Sequence, residues 1–134
     1  PSGTAHAARQ WLFEWEDKSP VVKMLDADDI LTPRSLEVIM RHLQPDVDGV
    51  FCPLLRTSSY RFAEIISGKP QLGHAGSGSM LLRKEVMQKM VEEGFVWPDF
   101  RGHDKGFFKF LEERKEKFNF VTVNPENVCY LYLK

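Results

Sequence analysis

A chain of 134 residues has the length of one domain and can bury a hydrophobic core without staples. Its composition, 43% hydrophobic and 28% charged, excludes a disordered polypeptide. A net charge of -1 excludes a broad basic field for nucleic acid, and no apolar run approaches the ~20 residues that span a bilayer.

The elements follow in chain order. Residues 4–17 carry Ala5, Ala8, Leu12 and Trp15 at helical spacing, with Ser2 or Thr4 as N-cap, and predict a helix. The stretch "SPVVKML" turns to strand character. "TPRSLEVIMRHLQ" restores helix signals, with Thr32 as N-cap, Pro33 in the first helical position and Leu36, Ile39, Met40 and Leu43 as the core stripe. "DGVFCPLL" reads as a second strand, which Pro53 places near a sheet edge or brings to an end. "YRFAEII" leans towards strand, and "SGKPQLGHAGSGS" is a loop. Beyond it come a short strand in "MLLRK" and a helix in "KEVMQKMVEEG" closed by Gly94. The aromatic loop "FVWPDFRGHD" leads into a helix over residues 104–117, and "FNFVTV" and "NVCYLYL" are final strands. Helices alternating with strands predict an α/β sheet within one domain spanning residues 1–134.

The chemistry concentrates in "MLDADDIL". Asp26, Asp28 and Asp29 follow directly on an apolar, β-branched run, and carboxylates so close repel one another unless a cation, a proton or solvent relieves them. Two residues apart at a strand end, Asp26 and Asp28 can project to the same side, at the strand terminus where open α/β sheets bind ligands. Mg²⁺ and Mn²⁺ take one or two such carboxylates, with water and phosphate oxygens completing the shell. The plainer alternative is that Asp28 or Asp29 caps the turn before Thr32. A calcium loop would match Asp26, Asp28 and Glu37, but Leu31 stands where that loop needs glycine. A phosphatase with an aspartyl nucleophile would continue with Gly-Thr, where this chain has Asp29-Ile30.

A second constellation lies in "GHDKGFFKFLEERKEK". Asp104 stands at a helix start, where amide N–H groups and the helix dipole keep a carboxylate ionised, and an ionised, oriented Asp serves as a general base toward a hydroxyl. A simple helix cap is the alternative. His103 is open to metal, substrate or a loop hydrogen bond. A dinuclear metal phosphohydrolase would need further ligands, and His6, His42 and His74 fall at no suitable spacing.

With these motifs in order, the chain resembles the nucleotide-sugar glycosyltransferases of family 2, which have the GT-A fold. "GTAHAARQ" is similar to that family's small-residue helix entry, and "MLDADDILTPRSLE" to its strand, D-x-D-D and following helix. "GSGSMLLRKEVMQKM" resembles its acceptor-side strand and helix, and "FRGHDKGFFKFL" its Gly-Glu-Asp helix. The resemblance implies a partial GT-A fold, a mixed sheet flanked by helices. It further implies that Asp26 and Asp28 engage a divalent metal, Mn²⁺ or Mg²⁺, together with the nucleotide-sugar donor, with Arg9 near the diphosphate. Asp104 matches the family's catalytic base, acting on an acceptor hydroxyl, carbohydrate or other, with inversion at the anomeric carbon. Trp97, Phe100 and His103 would line the acceptor side; simple packing is the alternative for Trp97 and Phe100.

The chain also departs from the family. Gln10 stands where Asn is usual, and His103 where Glu is usual. The Gln-x-x-Arg-Trp motif of processive synthases is absent, which points to single addition, and "NVCYLYLK" ends without the histidine that some relatives supply late in the fold. The nucleotide-base-binding units that normally precede the first helix are missing, and the chain begins at Pro1. A portion of a longer enzyme is expected, or a shortened, noncatalytic relative that binds sugar or a protein partner. Cys52 and Cys129, far apart among apolar residues, are expected as buried free thiols. With no signal peptide or membrane segment in view, the expected location is cytoplasmic.

Overall fold

In the computed structural model, residues 20–23, 25, 29–58, 62–70, 75, 77–96 and 103–133 are described. They form a mixed α/β structure with two mixed sheets and three helices. The predicted helix over residues 4–17 lies outside the described residues, as do Arg9, Asp26, Asp28, Trp97 and Phe100.

The first sheet has the order β1-β6-β3-β7, from β1 (Val21–Lys23), β6 (Met80–Arg83), β3 (Gly49–Phe51) and β7 (Phe120–Thr122). Strand β6 runs antiparallel to both β1 and β3, while β7 is parallel to β3. The carboxyl ends of β1, β3 and β7 therefore share one edge of the sheet with the start of β6. The register makes this concrete, since Lys23 pairs with Leu81, and Phe51 with both Met80 and Thr122. The second sheet has the order β2-β8-β4-β5, from β2 (Ile30–Leu31), β8 (Tyr130–Leu133), β4 (Leu54–Ser58) and β5 (Phe62–Ile66).

Alternation along the strands of the first sheet buries both of its faces, which is why β3 and β6 read as continuous apolar runs. Phe51, Met80 and Leu82 point into a core completed by Val86, Met87 and Met90 of α2 (Lys84–Glu92) and by Phe107, Phe108 and Leu111 of α3 (His103–Glu113). Val50 and Leu81 point the other way, into a core shared with Ile39 of α1 (Ser35–Arg41), Leu54, Val123, Cys129 and Tyr130. Phe51 anchors the first core, with ring centroids 6.4 Å from Phe108 and 5.4 Å from Phe120. Tyr130 carries the second core onto the other sheet.

Three predicted details change. "DGVFCPLL" is two strands, because the chain leaves the first sheet after Phe51 and enters the second at Leu54. Pro53, which has no N–H to donate to a ladder, sits in this switch, and its carbonyl accepts from the Cys129 amide at 3.0 Å.

Thr32 does not cap α1. Its hydroxyl instead donates to the Val128 carbonyl at 2.8 Å and its amide to Cys129 O at 2.9 Å, which binds it to the approach to β8. The helix begins after Arg34, held at φ 64°, and its buried stripe differs from the predicted one. Ser35 and Ile39 point inward with Val38 and Leu43 partly buried, while Leu36 and Met40 are exposed at 46% and 45%.

The last helix stops at Glu113, and residues 114–117 are turns. The helix closed by Gly94 agrees with its prediction, with that glycine at φ 93°. Cys52 and Cys129 are free and buried. Among the described residues, no helix is long and apolar enough to cross a membrane.

Candidate functional site

The shared edge of the first sheet is where the sequence motifs meet the fold. Strand β1 ends at Lys23, and the chain then crosses in residues 24–29 to the second sheet, where Ile30 pairs with Leu131. This crossing carries Asp26 and Asp28, which lie outside the described residues. Both of its anchors are described.

Asp29, at the far anchor, is only 8% exposed. It turns towards Gly78, in the short 3₁₀ turn Ser77–Ser79 that leads into β6. A Cβ on Gly78 would lie 3.2 Å from Asp29 Oδ2 and 3.1 Å from the Tyr130 ring, so only a glycine lets the three groups approach this closely. At the near anchor, the Lys23 ammonium donates a hydrogen bond to the Gly78 carbonyl and sits 5.6 Å from the Tyr130 ring centroid, within cation–π range. The buried hydroxyls of Ser79 and Tyr130 are 3.2 Å apart. The third acid of the motif, Asp29, is thus an inward-facing group.

Beneath this cluster, the Cys52 amide donates to the Ser79 carbonyl at 2.8 Å. The Cys52 thiol is pushed well above the usual thiol range by its hydrogen bond to Cys129 and then by burial. The same hydrogen bond holds Cys129 below that range, and the positive charge of Lys23 pulls both down. Cys129 also donates to the Asn127 carbonyl at 3.2 Å. These thiols pack and hydrogen-bond in the core.

His103 and Asp104 open α3, and the backbone puts Asp104 one turn before Phe108. Phe108 packs against Phe51, the last residue of β3 and the neighbour of Cys52. The start of α3 and the Ser77–Ser79 turn are therefore both attached to the end of β3. The side chains of His103 and Asp104, like Arg9, Trp97 and the two forward aspartates, lie outside what is described.

Among the described residues, no group of three or more His, Cys, Asp or Glu side chains stands together as a metal-binding cluster. Mg²⁺ or Mn²⁺ needs none, because one or two carboxylates suffice when phosphate and water complete the shell. A shallow groove of about 340 Å³ between α3 and the residues after α2 is lined by Phe95, Val96, Lys109, Phe110 and Arg114, among others.

Reading the sequence missed Lys23, Gly78 and Tyr130 as parts of this cluster. The available signal was a lysine inside a β-branched strand that runs into acids. No family model matches the chain, and no curated protein matches it.

Proposed function

We propose that the chain is a metal-dependent inverting glycosyltransferase of the GT-A class, or a portion of one, that moves a sugar from a nucleotide-sugar donor to an acceptor hydroxyl. The carrying observation is that the crossing with Asp26 and Asp28 leaves β1 at the sheet edge to which the start of α3, with Asp104, is tied through Phe108 and Phe51. Open α/β sheets bind ligands outside the carboxyl ends of their strands, and this edge collects three such ends. The inward turn of Asp29 supports a two-carboxylate donor set, which suits a hard cation that keeps water and diphosphate oxygens as its remaining ligands.

In this reading Asp26 and Asp28 hold the cation, with Asp28 the direct ligand, and Arg9 lies beside the diphosphate. A bound Mn²⁺ or Mg²⁺ offsets the negative charge that develops on the departing nucleoside diphosphate. Asp104 takes the acceptor's hydroxyl proton as the oxygen attacks the anomeric carbon. The new glycosidic bond forms while the bond to the diphosphate breaks on the opposite face, which inverts the configuration. His103 and Trp97 line the acceptor side.

Calorimetric titration with UDP and with GDP, each with and without Mn²⁺, tests the reading. Metal-dependent binding that disappears in Asp28→Ala supports it. Absence of metal-dependent binding in the wild-type chain overturns it in favour of a noncatalytic sugar- or protein-binding module. Binding that survives Asp28→Ala removes the ligand assignment.

A further inference from the structure

Cys52 and Cys129 meet at the joint between the two sheets. Cys52 follows β3 of the first sheet and precedes β4 of the second, and Cys129 is the last residue before β8. Strands β4 and β8 are parallel, with Leu54 opposite Tyr130, and the Cys129 amide donates to the Pro53 carbonyl at 3.0 Å, so the chain runs side by side at the two cysteines. Both thiols are free, with exposures of 0% and 1%, and both belong to one packed cluster. Within it the Cys52 thiol donates a hydrogen bond to the Cys129 sulfur. Neighbouring backbones with their sulfurs in contact are what a disulfide joins with least movement.

A buried free cysteine ordinarily packs as a small hydrophobe. Here three features add chemistry. The hydrogen bond from Cys52, and then the positive charge of Lys23, hold the Cys129 thiol below its usual range against the pull of desolvation, and thiolate character is what makes a cysteine open to oxidation. The backbone is pinned on both sides of the pair, since the Cys52 amide donates to the Ser79 carbonyl at 2.8 Å and the Cys129 carbonyl accepts from the Thr32 amide at 2.9 Å. Finally, Cys129 lies beside the exposed turn of residues 124–127, its Sγ donating to the Asn127 carbonyl at 3.2 Å. Asn124 closes that turn, its carbonyl accepting from the Asn127 amide and its Oδ1 from the Glu126 amide, each at 2.9 Å. Exposed turns closed by such short-range bonds open locally at low cost, which gives a small oxidant a way in.

We propose that Cys52 and Cys129 are a redox pair that hydrogen peroxide closes to a disulfide, clamping the exit of β3 to the entry of β8. The Cys129 sulfur attacks one peroxide oxygen, the O–O bond breaks, and the departing hydroxide takes the thiol proton and leaves as water. Cys129 is then a sulfenic acid. The Cys52 sulfur attacks the Cys129 sulfur, the S–O bond breaks, and the hydroxyl leaves with the Cys52 proton as a second water. Two thiols lose two electrons and one peroxide becomes two waters. The new bond closes a loop that carries α2, α3 and strands β4 to β7, and a cross-link between positions so distant in the chain restricts the unfolded state strongly. The pair does not depend on the transferase reading.

Peroxide treatment of the full folded chain, then thiol blocking and peptide mapping, tests the pair. A cross-linked peptide holding Cys52 and Cys129 is expected in the monomer, with both thiols lost together and both recovered in dithiothreitol. Persistence of both thiols, or their separate conversion to sulfinic acids, overturns the proposal. The oxidised chain should melt roughly 5–10 °C above the reduced one, and oxidation without that rise overturns the clamp. In Cys52→Ser, the Cys129 sulfenic acid has no resolving partner and should be trapped by dimedone; trapping at Cys52 in Cys129→Ser alone reverses the order of attack. Should either variant fail to fold, the wild-type measurements decide the pair without it. Asn124→Ala should speed disulfide formation by roughly threefold through a looser turn, and an unchanged rate overturns the turn as the way in.

Discussion

The hydroxyls of Ser79 and Tyr130 meet at 3.2 Å in the interior, joining the turn before β6 in one sheet to the first residue of β8 in the other. Either oxygen can donate, and a hydroxyl buried without this contact loses more than it would in water. We expect Tyr130→Phe and Ser79→Ala each to lower unfolding stability by about 1 kcal/mol in urea denaturation. In the double variant the losses should be less than additive, with a coupling of roughly 0.5–1 kcal/mol. Strict additivity would show that the contact contributes nothing.

Gly68 makes the switch between sheets possible. It has φ 79°, and a Cβ there would lie 2.2 Å from the Cys52 carbonyl oxygen and 2.7 Å from Pro53 N, both backbone atoms that cannot swing aside. A left-handed conformation costs an L-residue about 1–2 kcal/mol, and overpacking adds roughly 1–3 kcal/mol. Gly68→Ala should therefore lose about 3 kcal/mol in the same denaturation experiment. The loss should exceed that of Gly78→Ala, whose closest approach is 3.1 Å to a side chain.

Elements built from local signals were legible in the sequence. Val21, Val22 and the run through Leu81 and Leu82 announced strands, and Lys84 to Gly94 announced a helix with its stop. What failed depended on distant partners. Thr32 has every attribute of a cap, yet the Val128 carbonyl, 96 residues away in the chain, takes its hydroxyl. Leu36 and Met40 sit at helical spacing with Ile39 and were predicted to be core, but the helix packs through Ser35, Val38 and Ile39 and leaves them exposed. In the site, the three acids were visible as a cluster, whereas the burial of Asp29 was not. Its carboxylate lies against a glycine and a tyrosine far along the chain, and no period in a local window encodes that neighbourhood.

Asp104 offers a division between binding and chemistry. In the transferase reading its carboxylate meets the acceptor's proton and not the donor. Asp104→Asn keeps the size and helix-capping ability of the residue while removing the basic oxygen. Sugar transfer from the nucleotide sugar should fall by at least about a hundredfold, within the range general bases contribute. Affinity for UDP or GDP with Mn²⁺ should change by less than about threefold, since uniform binding is untouched. Unchanged turnover would remove Asp104 from the base role, and a parallel loss of nucleotide affinity would mark it as a donor-side or structural group.

Glu93 ties the end of α2 to the turn after α3. Its Oε1 accepts from the Lys117 ammonium at 2.6 Å, and its Oε2 pairs with Arg114 Nε at 3.2 Å. The Lys117 hydrogen bond foremost, with the charges of Lys117, Arg114 and Lys89, holds the Glu93 carboxyl below its ordinary value, against the opposing pull of desolvation. A carboxylate whose folded pKa is depressed contributes stability above the unfolded pKa of about 4.3 and loses it as pH falls through the folded value. Thermal melts from pH 7 to pH 3 should therefore show a shallower acid decline for Glu93→Gln than for the wild type. The variant should melt lower at pH 7, and the gap should close as the wild-type carboxyl protonates. A constant gap across the series would mean that the loss comes from packing, with no share from the charge. Raising salt at pH 7 should also narrow the gap, because Lys117 is 57% exposed and its attraction to Glu93 is open to screening.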